Sequence, residues 1–202
     1  FGIAITKAQK VIFPRDFSPT EGLITPQEKP YRDEVCLNGY WELQCVPVPS
    51  SWKGGTGIAP ELPAPQADKW ETVKIKIPSA INVNDWGRGS NVGEGTRNPY
   101  TPSSVYYPSY PDNWKHTRMG WLRKNFRVPA GWNGKRLLLH FEAVAGDCVV
   151  LVNGKEVCHN FDSHLPFNAD ISDYVNRDAD NELLVGVRHT KLFDKSHPVY
   201  TK

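Results

Sequence analysis

Aromatic rings and hydrogen-bonding side chains are concentrated in one long connection of the chain, residues 82–118. Pyranose sugars pack their C–H faces on aromatic rings, while amide and guanidinium groups bond their hydroxyls. Long ordered loops in compact domains are usually functional. We therefore predict carbohydrate contacts from the side chains of Trp86, Arg97, Asn98, Tyr100, Tyr106 and Trp114. The alternative is that the rings of this connection only cap the domain core.

Other residue types that could do chemistry are less informative. Two carboxylate pairs suggest an acid/base pair or a calcium site, and they are Asp170 with Asp173 and Asp178 with Asp180. Both pairs lie in turn-like sequence, where Asp is favoured for its local backbone bonds. A metal cluster would require the fold to bring together three histidines, His159, His164 and His189. We predict no catalytic residue, no metal and no cofactor, with a structural calcium ion as the alternative.

The four cysteines, Cys36, Cys45, Cys148 and Cys158, show neither C-x-x-C nor zinc spacing. Asn153-Gly154 between apolar residues predicts a two-residue type I′ hairpin turn. A regular ladder from this turn places Cys148 opposite His159, so that Cys148 and Cys158 point to opposite faces of the sheet. We predict that all four thiols are free.

The net charge is +2, which excludes the strong global field of a nucleic-acid-binding protein. Local charge is uneven, because residues 113–141 carry seven Lys or Arg and no acid, whereas residues 142–184 carry nine acids and two bases. Our interpretation is that the two segments are neighbours whose charges pair or are solvated. The alternative is a basic groove for an acidic ligand such as a uronate.

Short alternating segments recur about every ten residues and predict strands. They are Leu37 to Cys45, Trp70 to Pro78 with Val73, Ile75 and Ile77 on one face, Trp121 to Val128, Lys135 to Glu142, Cys148 to Val152, Lys155 to His159 and Glu182 to Arg188. Residues 47–65 are rich in Pro, Gly and Ala and indicate a loop. Without an amphipathic helix of useful length, this pattern predicts an all-β protein with an antiparallel β-sandwich.

Residues 1–34 hold four prolines without a helical period, which indicates a leader or strap before a domain at 35–202. No apolar run approaches the ~18 residues needed to cross a bilayer. The chain starts without Met or a basic lead-in, so we expect a removed signal peptide or a cut from a larger protein. A removed signal would place the protein in the periplasm or outside the cell.

Several stretches together resemble the N-terminal sugar-binding domain of glycoside hydrolase family 2, the family of β-galactosidases, β-glucuronidases and β-mannosidases. They are Leu37-Asn38-Gly39-Tyr40-Trp41, Ile77-Pro78-Ser79, Tyr107-Pro108, and residues 120–129, 136–144, 152–157, 166–171 and 181–187. The resemblance implies a jelly-roll sandwich of the galactose-binding-domain-like type. It also implies that this chain ends before the last strand of the sandwich.

In the β-galactosidase members, this domain lends an Asn and an Asp to the edge of the catalytic pocket. The resemblance puts Ser104 at the position of that Asn, a departure from the pattern, and Asp194 at the position of the Asp. The two catalytic glutamates of the family lie in a separate (β/α)₈ barrel of about 250 residues, for which this chain is too short.

The resemblance therefore implies a non-catalytic carbohydrate-binding domain of an exported glycoside hydrolase. Its partners are carbohydrate, the catalytic barrel, which it packs against and whose substrate entrance it shapes, and further domains of the same parent chain. The alternatives are a self-sufficient carbohydrate-binding module and a purely structural or protein-interaction sandwich. A stand-alone hydrolase is a third alternative.

Overall fold

Strands provide most of the regular structure, because apolar residues recur at every second position. The structure, a computed structural model, describes residues 24, 27–81, 110–162 and 164–194. These residues contain short 3₁₀ turns and no α-helix, and no helix there is long and apolar enough to cross a membrane. The strands are β1 Gly39–Val46, β2 Ile75–Ile77, β3 Met119–Phe126, β4 Leu138–Phe141, β5 Gly146–Val152, β6 Lys155–Asp162, β7 Phe167–Asp170 and β8 Asn181–Arg188.

The chain divides into two compact units, residues 1–39 with 76–115, and residues 40–75 with 116–202. In the first unit the Tyr110 hydroxyl accepts a hydrogen bond from the Lys76 amide at 2.9 Å and donates to Ser79 Oγ at 3.4 Å. The Tyr110 ring also packs on Trp114, with centroids 4.9 Å apart. These contacts form a small buried cluster, since both rings are almost fully buried.

The second unit contains the main sheet, with strands in the order β1-β3-β8-β5-β6. Neighbouring strands of known register are antiparallel, as in the pairs Leu122 with Val185 and Val150 with Val185. Strands β4 and β7 form a separate antiparallel pair. Strand β8 is central, because it is bonded on one side to β3 and on the other to β5.

One face of the main sheet is covered by the cover segment, residues 47–65. Trp121 lies on this face, and its Nε1 donates to the Pro63 carbonyl at 2.7 Å. Gly186 lies opposite Trp121, and a Cβ on it would be 2.7 Å from Cδ2 of Leu62. A side chain at residue 186 would therefore collide with the cover segment, so glycine fits this close approach.

The opposite face of the main sheet is also buried. Leu43, Val150 and Val185 point to this face and are almost inaccessible to solvent. The second sheet also has buried positions, Leu139 on β4 and Ala169 on β7. Two antiparallel sheets with buried faces form the β-sandwich of the jelly-roll type that the sequence predicted.

The hairpin of β5 and β6 corrects the predicted register. Asn153 and Gly154 have φ of 50° and 78°, as a type I′ turn requires. A β-bulge then follows, because Leu151 pairs with Glu156 whereas Val150 pairs with Cys158. The prediction that Cys148 and Cys158 point to opposite faces is therefore wrong, since the extra residue puts both on the same face. The four cysteines are nevertheless free.

The predicted strand at residues 70–78 is shorter than expected. Only Ile75–Ile77 forms a strand, and Val73, predicted on the buried face, is 41% exposed. Strand β7 was not predicted among the alternating segments, because its four residues are too few to show a period. Most of the predicted leader, residues 1–34, and most of the connection 82–118 lie outside the described residues.

Opposite charges of the basic and acidic segments pair, as the first interpretation predicted. Arg123 Nη1 lies 3.8 Å from Glu182 on the neighbouring strand, and Arg136 Nε bonds Asp170 at 2.7 Å. Arg127 bonds Asp180. Three of the basic side chains thus contact acids of the following segment, on exposed or half-exposed surface where each pair contributes little.

Candidate functional site

One end of the main sheet collects the starts and ends of four strands. Met119 at the start of β3 pairs with Arg188 at the end of β8, and Asp147 near the start of β5 pairs with the same Arg188. On the outer side, Gly146 pairs with Asp162 at the end of β6. Side chains from four sequence regions therefore converge at this end, which we call the β8 end.

An ion cluster lies at the β8 end, and Asp147 is at its centre with its side chain 7% exposed. Its Oδ2 accepts a hydrogen bond from Arg188 Nε at 2.8 Å and lies 2.7 Å from Nη2. Its Oδ1 lies 2.7 Å from Nε2 of His159. Arg188 Nη1 donates to the Pro60 carbonyl at 2.8 Å. Each buried charge thus has partners, and Arg188 ties the cover segment to the sheet.

Two phenylalanines lie beside the ion cluster. The Arg188 guanidinium lies 5.0 Å from the centroid of the Phe193 ring. Phe193 in turn meets Phe161 edge to face, with centroids 4.9 Å apart. Phe161 still exposes 57% of its surface. An exposed ring is therefore held in place by a chain of contacts that ends in a buried carboxylate.

The segment after β8 turns at once and is fixed by local bonds. The His189 amide donates to the Arg118 carbonyl at 2.8 Å, and His189 Nδ1 accepts from the Lys191 amide at 3.0 Å. Burial lowers the pKa of His189 below its ordinary value, and Arg118 and Lys191 lower it further. A neutral ring suits the acceptor role of Nδ1, which caps the 3₁₀ turn Thr190–Leu192.

Most of the predicted carbohydrate contacts fall outside the described residues. They are Trp86, Arg97, Asn98, Tyr100, Ser104 and Tyr106. Trp114 is described, and it is 0% exposed with its Nε1 lacking a hydrogen-bond partner in the described part of the chain. A buried donor without an acceptor costs about 1–3 kcal/mol. The sugar contact of Trp114 stays a prediction.

Asp194 is half-buried and directly follows Phe193. Because the Phe193 ring contacts Arg188, Asp194 belongs to the β8 end, which also holds the ion cluster. The sequence placed Asp194 in a site only through the family resemblance. The structure adds its surroundings, a turn held by His189 and a ring stacked on Arg188. Its contact with sugar stays a prediction.

Among the described residues no group of three or more His, Cys, Asp or Glu could hold a metal ion. Two of the three histidines have other contacts, His159 with Asp147 and His189 with Lys191. Asp170 accepts from the Ser172 hydroxyl at 2.7 Å and from Arg136. These bonds lower the pKa of Asp170 to about 2. The absence of a metal and a cofactor stays a prediction, and so does its alternative, a structural calcium ion.

The ion cluster was not predicted from the sequence, in which only His159 of its members is a candidate site residue. The sequence does contain one indication of this cluster, since Asp147 directly precedes the apolar run of β5. The carboxylate of Asp147 is buried, and a buried carboxylate needs a hydrogen-bonding or charged partner. The partners could not be found from spacing, since Arg188 lies 41 residues after Asp147 and Pro60 lies 128 residues before Arg188.

The fold and this end of the sheet define a jelly-roll β-sandwich domain with polar and aromatic side chains at the strand ends. Residues 35–198 match the family model described as glycosyl hydrolases family 2, sugar binding domain. The chain belongs to this family.

Relatives include two β-glucuronidases. That of Formosa agariphila is 28% identical over 126 residues, which are 60% of this chain and 11% of that protein. That of Canis lupus familiaris is 25% identical over 162 residues, 76% of this chain and 20% of that protein. A β-galactosidase of Thermoanaerobacter pseudethanolicus is 37% identical over 57 residues, 28% of this chain and 8% of that protein.

Among solved structures, a β-glucuronidase of an uncultured Clostridium sp. superposes with a TM-score of 0.49 and 22% identity, over 75% of this chain and 21% of that one. This chain thus spans about a fifth or less of the length of the relatives and structures it matches.

Proposed function

We propose that this chain is the non-catalytic N-terminal domain of an exported family 2 glycoside hydrolase, where it packs against the catalytic barrel and shapes its substrate entrance. The observation that carries the proposal is the family match over residues 35–198, in a chain about a fifth or less of its relatives' length. The named relatives favour a β-glucuronidase or β-galactosidase as the parent enzyme.

The β8 end is the part of the domain that we propose to face the substrate. A carboxylate near a sugar can accept bonds from its hydroxyls, and Asp194 is carried on a turn that is fixed at both sides. Phe193, the residue before Asp194, is held by the contact of its ring with the Arg188 guanidinium. The His189 cap fixes the start of the turn. Such a fixed carboxylate would contribute to substrate binding without taking part in bond cleavage.

The test uses the whole parent enzyme with nitrophenyl β-glucuronide and β-galactoside as substrates. In Asp194→Asn we expect a KM several-fold higher with kcat little changed, because a ground-state contact is weakened. Asp180→Asn, which alters an exposed carboxylate bonded to Arg127, is the matched control and should keep both constants. An unchanged KM in Asp194→Asn would remove Asp194 from the entrance.

Two further measurements address the other parts of the proposal. The 202-residue chain alone should release no nitrophenol, since the catalytic glutamates belong to the proposed barrel. Fractionation of cells that make the parent protein should find it in the periplasm or the medium. Release of nitrophenol by the chain alone would instead support a stand-alone hydrolase.

A further inference from the structure

The outer part of β6 forms an open surface that we call the β6 patch, made of His159 and Phe161. Both side chains point to the same face as Asp147 and Val149, with which Phe161 and His159 pair across the strands. On the same face, the cover segment reaches Gly186 and Trp121. Over β6 the face stays open, since the His159 side chain is 54% exposed and Phe161 57%.

The two side chains of the β6 patch are held before any ligand binds. His159 Nε2 is fixed by Asp147, whose other oxygen is held by Arg188. The Phe161 ring is fixed by its edge contact with Phe193. Because little side-chain freedom is left to lose, a ligand that fits the patch would bind at a smaller entropic cost.

The chemistry of the patch follows from these contacts. An ionised carboxylate only accepts hydrogen bonds, so Nε2 of His159 carries a proton, and Nδ1 is the ring nitrogen left to bond a ligand. Phe161 offers an apolar ring two residues along the same face. The patch thus combines a ring for stacking with a fixed polar atom beside it. Arg188, the cation that contacts Asp147, is already engaged by Asp147 and Pro60.

We propose that the β6 patch is a second carbohydrate-binding site, which takes a neutral pyranose. The C–H face of the sugar stacks on Phe161, and one hydroxyl forms a hydrogen bond with Nδ1 of His159. A uronate gains no additional contact, because Arg188 is paired with Asp147. This site lies outside the residues predicted from the sequence, and it does not depend on the proposed entrance role of Asp194.

The experiment titrates the isotope-labelled 202-residue chain with methyl β-D-galactopyranoside and methyl β-D-glucopyranoside, followed by amide chemical shifts. We expect millimolar affinity and shifts centred on the amides of His159, Phe161 and Phe193. Phe161→Ala should weaken binding about tenfold, whereas Phe161→Tyr keeps the ring and should retain it. Leu138→Ala, which removes a similarly exposed apolar side chain from β4, is the matched control and should bind normally.

Three results would overturn the proposal. The first is the absence of sugar-dependent shifts on β6 with both probes, and the second is unchanged affinity in Phe161→Ala. The third is a set of shifts on β6 that follow protein concentration and not sugar, which would assign the patch to contact with a second copy of the chain. None of these results changes the kinetic expectation for Asp194, so the two proposals fail separately.

Discussion

At the scale of single residues, the most consequential contact is the buried pair of Asp147 and Arg188. In Asp147→Ala the guanidinium loses its main partner in a site with little solvent, and removal of one partner of a buried pair costs about 3–5 kcal/mol. We expect a loss of this size in the free energy of unfolding, measured by urea denaturation. Asp180→Ala removes an exposed partner of Arg127 and should cost far less, because exposed ion pairs are screened by solvent. Equal losses in the two variants would contradict the burial argument.

Asp170 offers a prediction about pH. Its folded pKa of about 2 is below the ordinary 3.8, mainly because of the Ser172 hydroxyl and next because of Arg136. The ionised carboxylate therefore stabilises the fold above pH 3.8, and this contribution is lost as the pH falls through about 2.

We expect Ser172→Ala to raise the pKa of Asp170 toward 3.8, and by more than Arg136→Gln does, in a carboxyl NMR titration. The Ser172 hydroxyl also accepts from the Leu137 amide, so the Leu137 resonance moves with the Ser172→Ala substitution itself. The Ile171 amide donates to the Leu137 carbonyl at 2.9 Å, and its resonance reports whether the local structure survives. A larger shift in Arg136→Gln would reverse the order of the two causes.

At the scale of elements, alanine substitutions at three glycines distinguish a clash with the backbone from a clash with packed side chains. A Cβ on Gly146 would lie 2.3 Å from the Arg188 carbonyl oxygen at a φ of +116°, whereas a Cβ on Gly186 would meet only side chains at 2.7–2.8 Å. Gly131 has open space around it. Thermal or urea unfolding should rank Gly146→Ala as the most destabilising, Gly186→Ala next at about 1–3 kcal/mol, and Gly131→Ala as neutral. An unchanged free energy of unfolding in Gly186→Ala would mean that the side chains of the cover segment can move away to make room for the Cβ.

The elements also show why the hairpin was predicted and its register was not. The Asn153-Gly154 dipeptide favours a turn through its backbone preference alone, and Nδ2 of the Asn153 side chain donates to the Tyr174 carbonyl and to Asn181 Oδ1. The bulge beyond this turn has no such local signal. The register beyond the bulge depends on which face of β5 and β6 is buried, and that face is set by packing against strands far away in sequence.

At the scale of the whole molecule, the sandwich was predictable because alternation encodes which face of a strand is buried, as at Trp41 and Leu43. The convergence at the β8 end was not predictable. Its contacts join Pro60, Asp147 and Arg188, and no sequence period relates residues on a cover segment to residues on two strands.

The central position of β8 predicts a gradient of stability through the main sheet. Its amides are bonded between two strands, whereas β6 is at the edge and has a neighbour on one side only within this sheet. Native-state hydrogen exchange should therefore be slowest for buried β8 residues such as Leu183 and Val185 and faster for the outer amides of β6. Equal protection of β6 and β8 would indicate an additional partner on the β6 edge.

The bulge in β6 has a consequence for how this domain can change length. The register passes from Glu156 to Cys158, so Val157 is the residue without a partner. A chain lacking Val157 could form a regular ladder and still keep His159 and Phe161 opposite Val149 and Asp147. Insertions and deletions among related sequences are therefore expected inside this strand as well as in loops, at a position where a single codon can be lost without moving the β6 patch.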